Sequence, residues 1–168
     1  CIRDRGNMYR YGMYFQVDRK KSIELYRRAA QAGAITGKYN YGTSLLKSSS
    51  TETEIKQGIE LITVAADNGL AIAQNAMGKM LVYGEYVNID YDRAFNYFRA
   101  AAEAGDIDGL TYLGTCYVDG YGCEKNQATA NYLFFMAAEK GSAQGQFNLA
   151  WSFHHGLGVE KDFDTAIQ

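Results

Sequence analysis

The stretch LGTCYVDGYGCEKNQATANYLFFMAAEKG, residues 113–141, decides the fold. Together with Ile107, Gly109 and Leu110 before it, its opening residues Leu113, Gly114 and Tyr117 put small or apolar side chains on one stripe at helical spacing. The stripe breaks at Gly120-Tyr121-Gly122, where two close glycines permit positive φ and stop the helix. Asn126 is a good N-cap for a second helix that runs through Ala130, Leu133, Phe134, Ala137 and Ala138 and ends at Gly141.

Working outward, the same helix pair recurs every 36 residues. Alanine pairs stand at Ala29-Ala30, Ala65-Ala66, Ala101-Ala102 and Ala137-Ala138, and glycines at Gly33, Gly69, Gly105 and Gly141. A third row runs Gly42, Gly78, Gly114 and Ala150. Its missing side chains predict close helix approach, with the alanine pairs acting likewise from the other helix. Asp18, Glu54, Asp90, Asn126 and Asp162 fall at or near the start of each second helix, where they can satisfy orphan N–H groups. Thr51 with Glu54 predicts a capping box and an early start in the second unit. A period of this length means stacked supersecondary units. The chain reads as one array, 1–168, with units of about 1–33, 34–69, 70–105, 106–141 and a truncated 142–168. The first unit is six residues short in its loop, and Ser48-Ser49-Ser50-Thr51 replaces the glycine loop of the second.

Composition narrows the function. With 47% hydrophobic and 21% charged residues the chain is globular, not disordered. A net charge of −2 argues against nucleic acid, whose phosphates need a clustered basic surplus. No apolar run approaches the roughly 18 residues of a membrane span. The sparse cysteines, Cys1, Cys116 and Cys123, do not look like a disulfide framework, although a Cys116–Cys123 bridge stays open. The compartment is undetermined: thiol usage leans to the cytoplasm, with the endoplasmic-reticulum lumen and bacterial periplasm as alternatives. The opening at Cys1 and the stop at Ala166-Ile167-Gln168, inside an expected helix, predict a piece of a longer protein.

The strings LGTCYVDGYGCEKN at 113–126 and LAWSFHHGLGVEKD at 149–162, with the alanine pair and Gly141, resemble the Sel1-like repeat, a relative of the tetratricopeptide repeat. The 36-residue period, the G-x-G loop and the absence of proline favour it over the 34-residue tetratricopeptide class. The resemblance implies an all-α, right-handed superhelix, or solenoid, of about five helix-turn-helix repeats that scaffolds protein complexes. Known settings of the family are endoplasmic-reticulum quality control, signalling adaptors, bacterial virulence and fusion to kinases.

On that geometry the first helices line the concave face. The candidate groove is Tyr39, Asn40 and Thr43, then Asn75 and Lys79, then Thr111, Tyr112 and Thr115, then Phe147, Asn148 and Trp151, with Tyr83, Asp119 and His155 one turn further. Aromatic and hydrogen-bonding groups with little charge suit an extended peptide or a partner helix. Trp151 is the sharpest candidate, being a residue type enriched at binding hot spots; the alternative is that it packs on a following repeat. On the other face, Phe135 and Met136 form a candidate apolar patch for a partner or self-association, unless one of them packs inward.

Imitations of catalytic motifs carry little. Gly33-Ala34-Ile35-Thr36-Gly37-Lys38 is one residue short of a phosphate loop, with Tyr39 where the hydroxyl should bind magnesium. Ser44-Leu45-Leu46-Lys47 matches S-x-x-K without companion motifs. His154 and His155 point about 100° apart on a helix and make poor co-ligands. No cofactor or metal is expected. The main reading is a protein-interaction scaffold or adaptor, not an enzyme, with protein or peptide partners and neither nucleic acid nor direct membrane contact. Beside it stand a lumenal substrate-recruiting arm of a degradation complex, an enzyme (β-lactam hydrolase-like through Ser44 and Lys47, or the regulatory arm of a fused kinase) and a self-assembling array.

Overall fold

The computed structural model describes residues 18–48 and 51–158. Among them the chain forms eight helices and no strand: α1 (Arg19–Gln31), α2 (Ile35–Ser48), α3 (Glu52–Asp67), α4 (Ala71–Tyr83), α5 (Tyr91–Glu103), α6 (Ile107–Asp119), α7 (Gln127–Glu139) and α8 (Ala143–His155). Cys1, Ser49, Ser50, Asp162 and the expected helix at Ala166-Ile167-Gln168 lie outside the described residues.

The cap chemistry sets where helices start. Asp18, Asp90 and Asn126 each accept the backbone N–H three residues on, and so open α1, α5 and α7. At α3 the cap is Thr51, paired with Glu54, and the helix has the early start that this pair predicts. The Thr51 hydroxyl accepts the Glu54 N–H at 3.4 Å and donates to the Glu54 carboxylate at 2.7 Å. Asp106 and Ser142 cap α6 and α8 in the same way, a second cap series that the sequence reading did not name.

The helix ends explain why glycine keeps a fixed distance from the alanine pair. Gly33, Gly69, Gly105 and Gly141 all have φ between 80° and 87°, and nothing stands within 4 Å of a Cβ built on them. Glycine is needed there for conformation, not for space. The residue after each glycine then donates its N–H back to the carbonyl of the first alanine of the pair, at 2.9–3.1 Å. This is the Schellman closure, and it satisfies carbonyls that the helix end would orphan.

The chain divides into two compact units, Cys1–Ala73 and Gln74–Gln168. In the first, α1 packs on α2 and α2 on α3. A Cβ on Gly37 would lie 2.8 Å from Ala29 Cβ, and one on Gly42 would lie 2.7 Å from the Gly58 carbonyl oxygen. Tyr26, Ile62 and Ala65 are fully buried around these approaches.

In the second unit, Gly78 and Gly114 each receive the edge of a phenylalanine ring. A Cβ there would stand 2.5 Å from Phe98 and Phe134 respectively. The alanine pairs serve a different contact from the one expected. Ala101 and Ala102 meet Gly109, and Ala137 meets Gly145, with virtual Cβ distances of 2.7–2.8 Å. Small residues thus recur in two layers, one between a first helix and the second helix after it, the other between a second helix and the next first helix. Leu81, Phe98, Leu110, Leu113, Cys116 and Leu133 fill the space between them. Each large apolar side chain buried this way contributes about 1.5–3 kcal/mol. Ile107, read as part of the buried stripe, is 36% exposed instead. It lies two residues, about 200° of helix rotation, from Gly109, whose face meets Ala101 and Ala102.

Candidate functional site

Within Gln74–Gln168 the expected groove residues lie on the first helices α4, α6 and α8, and two of them are buried. Asn75 and Thr111 are buried at 6% and 4% exposure. Asn75 Nδ2 donates to Asp106 Oδ1 at 2.8 Å, and the Thr111 and Ser142 hydroxyls lie 3.3 Å apart. Asp106 and Ser142 are the caps of the following first helices, accepting from Gly109 and Gly145 N–H. Both predicted groove residues therefore latch one helix pair to the next cap, and neither presents its side chain to a partner.

The remaining positions stay at the surface. Lys79 is exposed, and its ammonium stands 5.5 Å from the ring centroid of half-buried Tyr112. Tyr112 in turn tilts onto Phe98 at 5.0 Å. Thr115 is half-buried and donates to the Thr111 carbonyl at 3.1 Å. Asn148 Oδ1 accepts from Gln144 Nε2 at 2.9 Å, which orients its amide. Along α8, Phe147 and Trp151 are 59% and 53% exposed. Their rings lie 6.2 Å apart, and the His155 ring stacks on Trp151 at 4.0 Å. The spacing of four residues puts these three side chains on one helix face, so the ladder is set by helix geometry. His155 Nδ1 lies 2.9 Å from the Trp151 carbonyl oxygen, which anchors the last ring. Tyr83 and Asp119 are exposed at the ends of α4 and α6.

Beside Trp151 a cavity of about 160 Å³ opens between α6, α7, α8 and the Gly156-Leu157-Gly158 turn. Thr115, Phe134, Asn148 and Trp151 contribute to its lining, as do Gln127 and Leu157. Neither Gln127 nor Leu157 stands out as a site residue in the sequence. Their signal is visible only when successive repeats are laid over one another, because each belongs to a different element from Trp151.

In Cys1–Ala73 the corresponding helix is α2, where Tyr39, Asn40 and Thr43 are half-buried and the Asn40 carbonyl accepts both the Thr43 and Ser44 hydroxyls. Ser44 is 3% exposed and its hydroxyl donates to that carbonyl at 2.7 Å, whereas Lys47 is exposed. This is helix back-bonding and not the setting of an activated nucleophile. On α7 the proposed pair separates. Met136 packs against the core, while Phe135 is 50% exposed, next to Tyr132 at 63%.

Cys116 and Cys123 are free thiols. The Cys123 thiol donates to the Cys116 carbonyl at 3.4 Å. Burial, with smaller contributions from Cys123 and Asp119, pushes the Cys116 thiol up to about 12. Among the described residues no group of three His, Cys, Asp or Glu side chains could hold a metal ion. Among them, too, no helix is long and apolar enough to cross a membrane.

The family model described as Sel1 repeat matches residues 3–33, 71–106, 107–142 and 143–168. The unmatched stretch is the unit whose glycine loop is replaced by serines. A Sel1 repeat protein from Oxalobacter formigenes is similar in structure, with TM-score 0.89 and 27% identity over 99% of this chain and 66% of that one. So is c5321, a protective antigen of uropathogenic Escherichia coli, with TM-score 0.84 and 26% identity over 98% and 35%. The cysteine-rich protein B of Helicobacter pylori is similar at TM-score 0.57 and 25% identity over 75% and 90%. The chain thus spans about two thirds and one third of the lengths of the first two. No curated protein matches the sequence. The fold class is the all-α solenoid.

Proposed function

The chain belongs to the Sel1 repeat family, whose repeats are known as protein-interaction modules, and from that premise we propose that it works as a scaffold or adaptor in signalling or complex assembly. It holds a partner segment on the face made by α4, α6 and α8. The observation that carries this reading is the Phe147–Trp151–His155 ladder, in which two large apolar rings stay more than half exposed on a rigid helix. Large rings with few rotatable bonds lose little entropy when a partner covers them, which is why tryptophan recurs at hot spots. Lys79, Tyr112 and Asn148 add hydrogen-bonding and cation–π capacity at the edges. Binding is stoichiometric and needs no covalent step.

The test is affinity capture from source lysate, comparing the parent chain with a Tyr112→Ala/Trp151→Ala variant of unchanged melting temperature. Partners lost only with the variant support the surface. An unchanged partner set refutes it. The Tyr132 and Phe135 rings on α7 favour a second reading, self-association, which sedimentation at increasing concentration detects.

A further inference from the structure

The cavity beside Trp151 has an aromatic counterpart in the same chain. Thirty-six residues earlier, Tyr112 stands where Asn148 stands, Tyr91 where Gln127 stands and Tyr121 where Leu157 stands. There the chain's own rings stand at the corresponding positions and contact one another or Phe98. Tyr112 tilts onto Phe98 at 5.0 Å, and Tyr91 stacks on Tyr121 at 4.5 Å with 12° between planes. In the following repeat Phe134 takes the place of Phe98, but all three tyrosines have become smaller, non-aromatic side chains. What remains is about 160 Å³ of space against Phe134 and Trp151. A cavity of about 150 Å³ holds one benzene ring.

We propose that this cavity takes a single aromatic side chain, tyrosine or phenylalanine, from a partner peptide, which tilts onto Phe134 as Tyr112 tilts onto Phe98. The inference rests on the reading of this face as a protein-binding surface, and it names the residue class that the surface selects. Charge supports a neutral occupant, because no side chain lining the cavity is ionisable at neutral pH. A charged occupant would meet no opposite charge in the lining. The polar groups suit the peptide around the ring. Gln144 fixes the Asn148 amide by bonding its Oδ1, and Nδ2 has no partner among the described residues. Gln127 spends its Nε2 on Asn131 and Ser152, so its Oε1 stays an acceptor. One donor and one acceptor beside a ring-sized space match the carbonyl and N–H that flank any side chain in a peptide.

The chain reports on its own cavity, since Trp151 is its only tryptophan. Capped peptides Gly-Gly-X-Gly-Gly, with X as Tyr, Phe, Leu or Glu, would be titrated while Trp151 emission is followed. The Tyr and Phe peptides are expected to give a saturable shift and to bind roughly tenfold tighter than the Leu and Glu peptides. Asn148→Tyr restores the ring of the preceding repeat and should abolish the shift while leaving the melting temperature unchanged or raised. Leu157→Tyr, at an exposed turn position, is the second filling variant should the first fold poorly.

No saturable shift, equal response to Leu, or undiminished binding by both filled variants overturns the proposal. So does a wild-type dimer that Asn148→Tyr dissolves, because a second copy would then be the occupant. Failure of the peptide series alone removes the cavity assignment. An unchanged capture by Tyr112→Ala/Trp151→Ala removes the wider surface, so the two failures are distinguishable.

Discussion

Gly114→Ala tests whether space or conformation placed glycine in the first-helix row. Gly114 lies inside α6, so its conformation suits alanine, and helix propensity alone predicts a gain of about 0.8–1.0 kcal/mol. The packing predicts the opposite. The new methyl carbon would stand 2.5 Å from Phe134 Cε1, 2.9 Å from Cδ1 and 3.1 Å from Cζ. Phe134 is 3% exposed, so its ring cannot swing into solvent without shifting its neighbours. Overpacking of this kind costs about 1–3 kcal/mol, which leaves a net loss near 1 kcal/mol once the propensity gain is subtracted. For a chain of this size that lowers the melting temperature by about 2–4 °C. The decisive assay is a double-mutant cycle with Phe134→Leu, read by thermal or urea unfolding. Trimming the ring should rescue Gly114→Ala by about 1 kcal/mol relative to the sum of the single changes. A melting temperature that rises in Gly114→Ala, or strict additivity in the cycle, would refute the reasoning, because it would mean the ring yields freely.

The other glycine row should respond for a different reason. Gly105→Ala meets no atom within 4 Å but must hold φ near 81°, so it should lose about 1 kcal/mol that no compensating core change restores, as the same unfolding assay would reveal. Asp106→Ala removes a cap and also strips Asn75 Nδ2 of its buried partner; we expect about 2–3 kcal/mol, against about 1 kcal/mol for Asp90→Ala, which loses a cap alone. Equal costs at the two sites would count against the latch. Cys116, with its thiol pushed up to about 12 and its side chain buried, should react with iodoacetamide at mildly alkaline pH far more slowly than Cys123. Because folding raises this pKa, the protonated thiol's contribution to stability is complete below the ordinary value of 9.0 and falls away towards 12. Cys116→Ser should flatten that alkaline decline.

Much of the fold is legible because its causes are local. A cap residue acts on an N–H three positions away, and a Schellman glycine acts on a carbonyl a few residues back, so both leave marks at fixed spacing in Asp18, Asp90, Asn126 and the Gly33 series. The candidate surface is less legible because exposure on a first helix depends on what the next helix pair lays over it. Asn75 and Thr111 look like Lys79 and Thr115 in sequence, yet the first two are covered by Asp106 and Ser142, each 31 positions later. Phe135 and Met136 are neighbours whose fates diverge because about 100° of helix rotation turns one to the core and the other to solvent.

By itself, then, the sequence determined the repeat, its helical content, its cap-and-glycine punctuation and the family to which it belongs, since all of these follow from short-range spacing. Only the tertiary structure decided which partner each small residue meets, which polar side chains become latches and where a ring-sized space is left open. Those outcomes depend on side chains contributed by separate helices, whose packing distances no single stretch of sequence encodes.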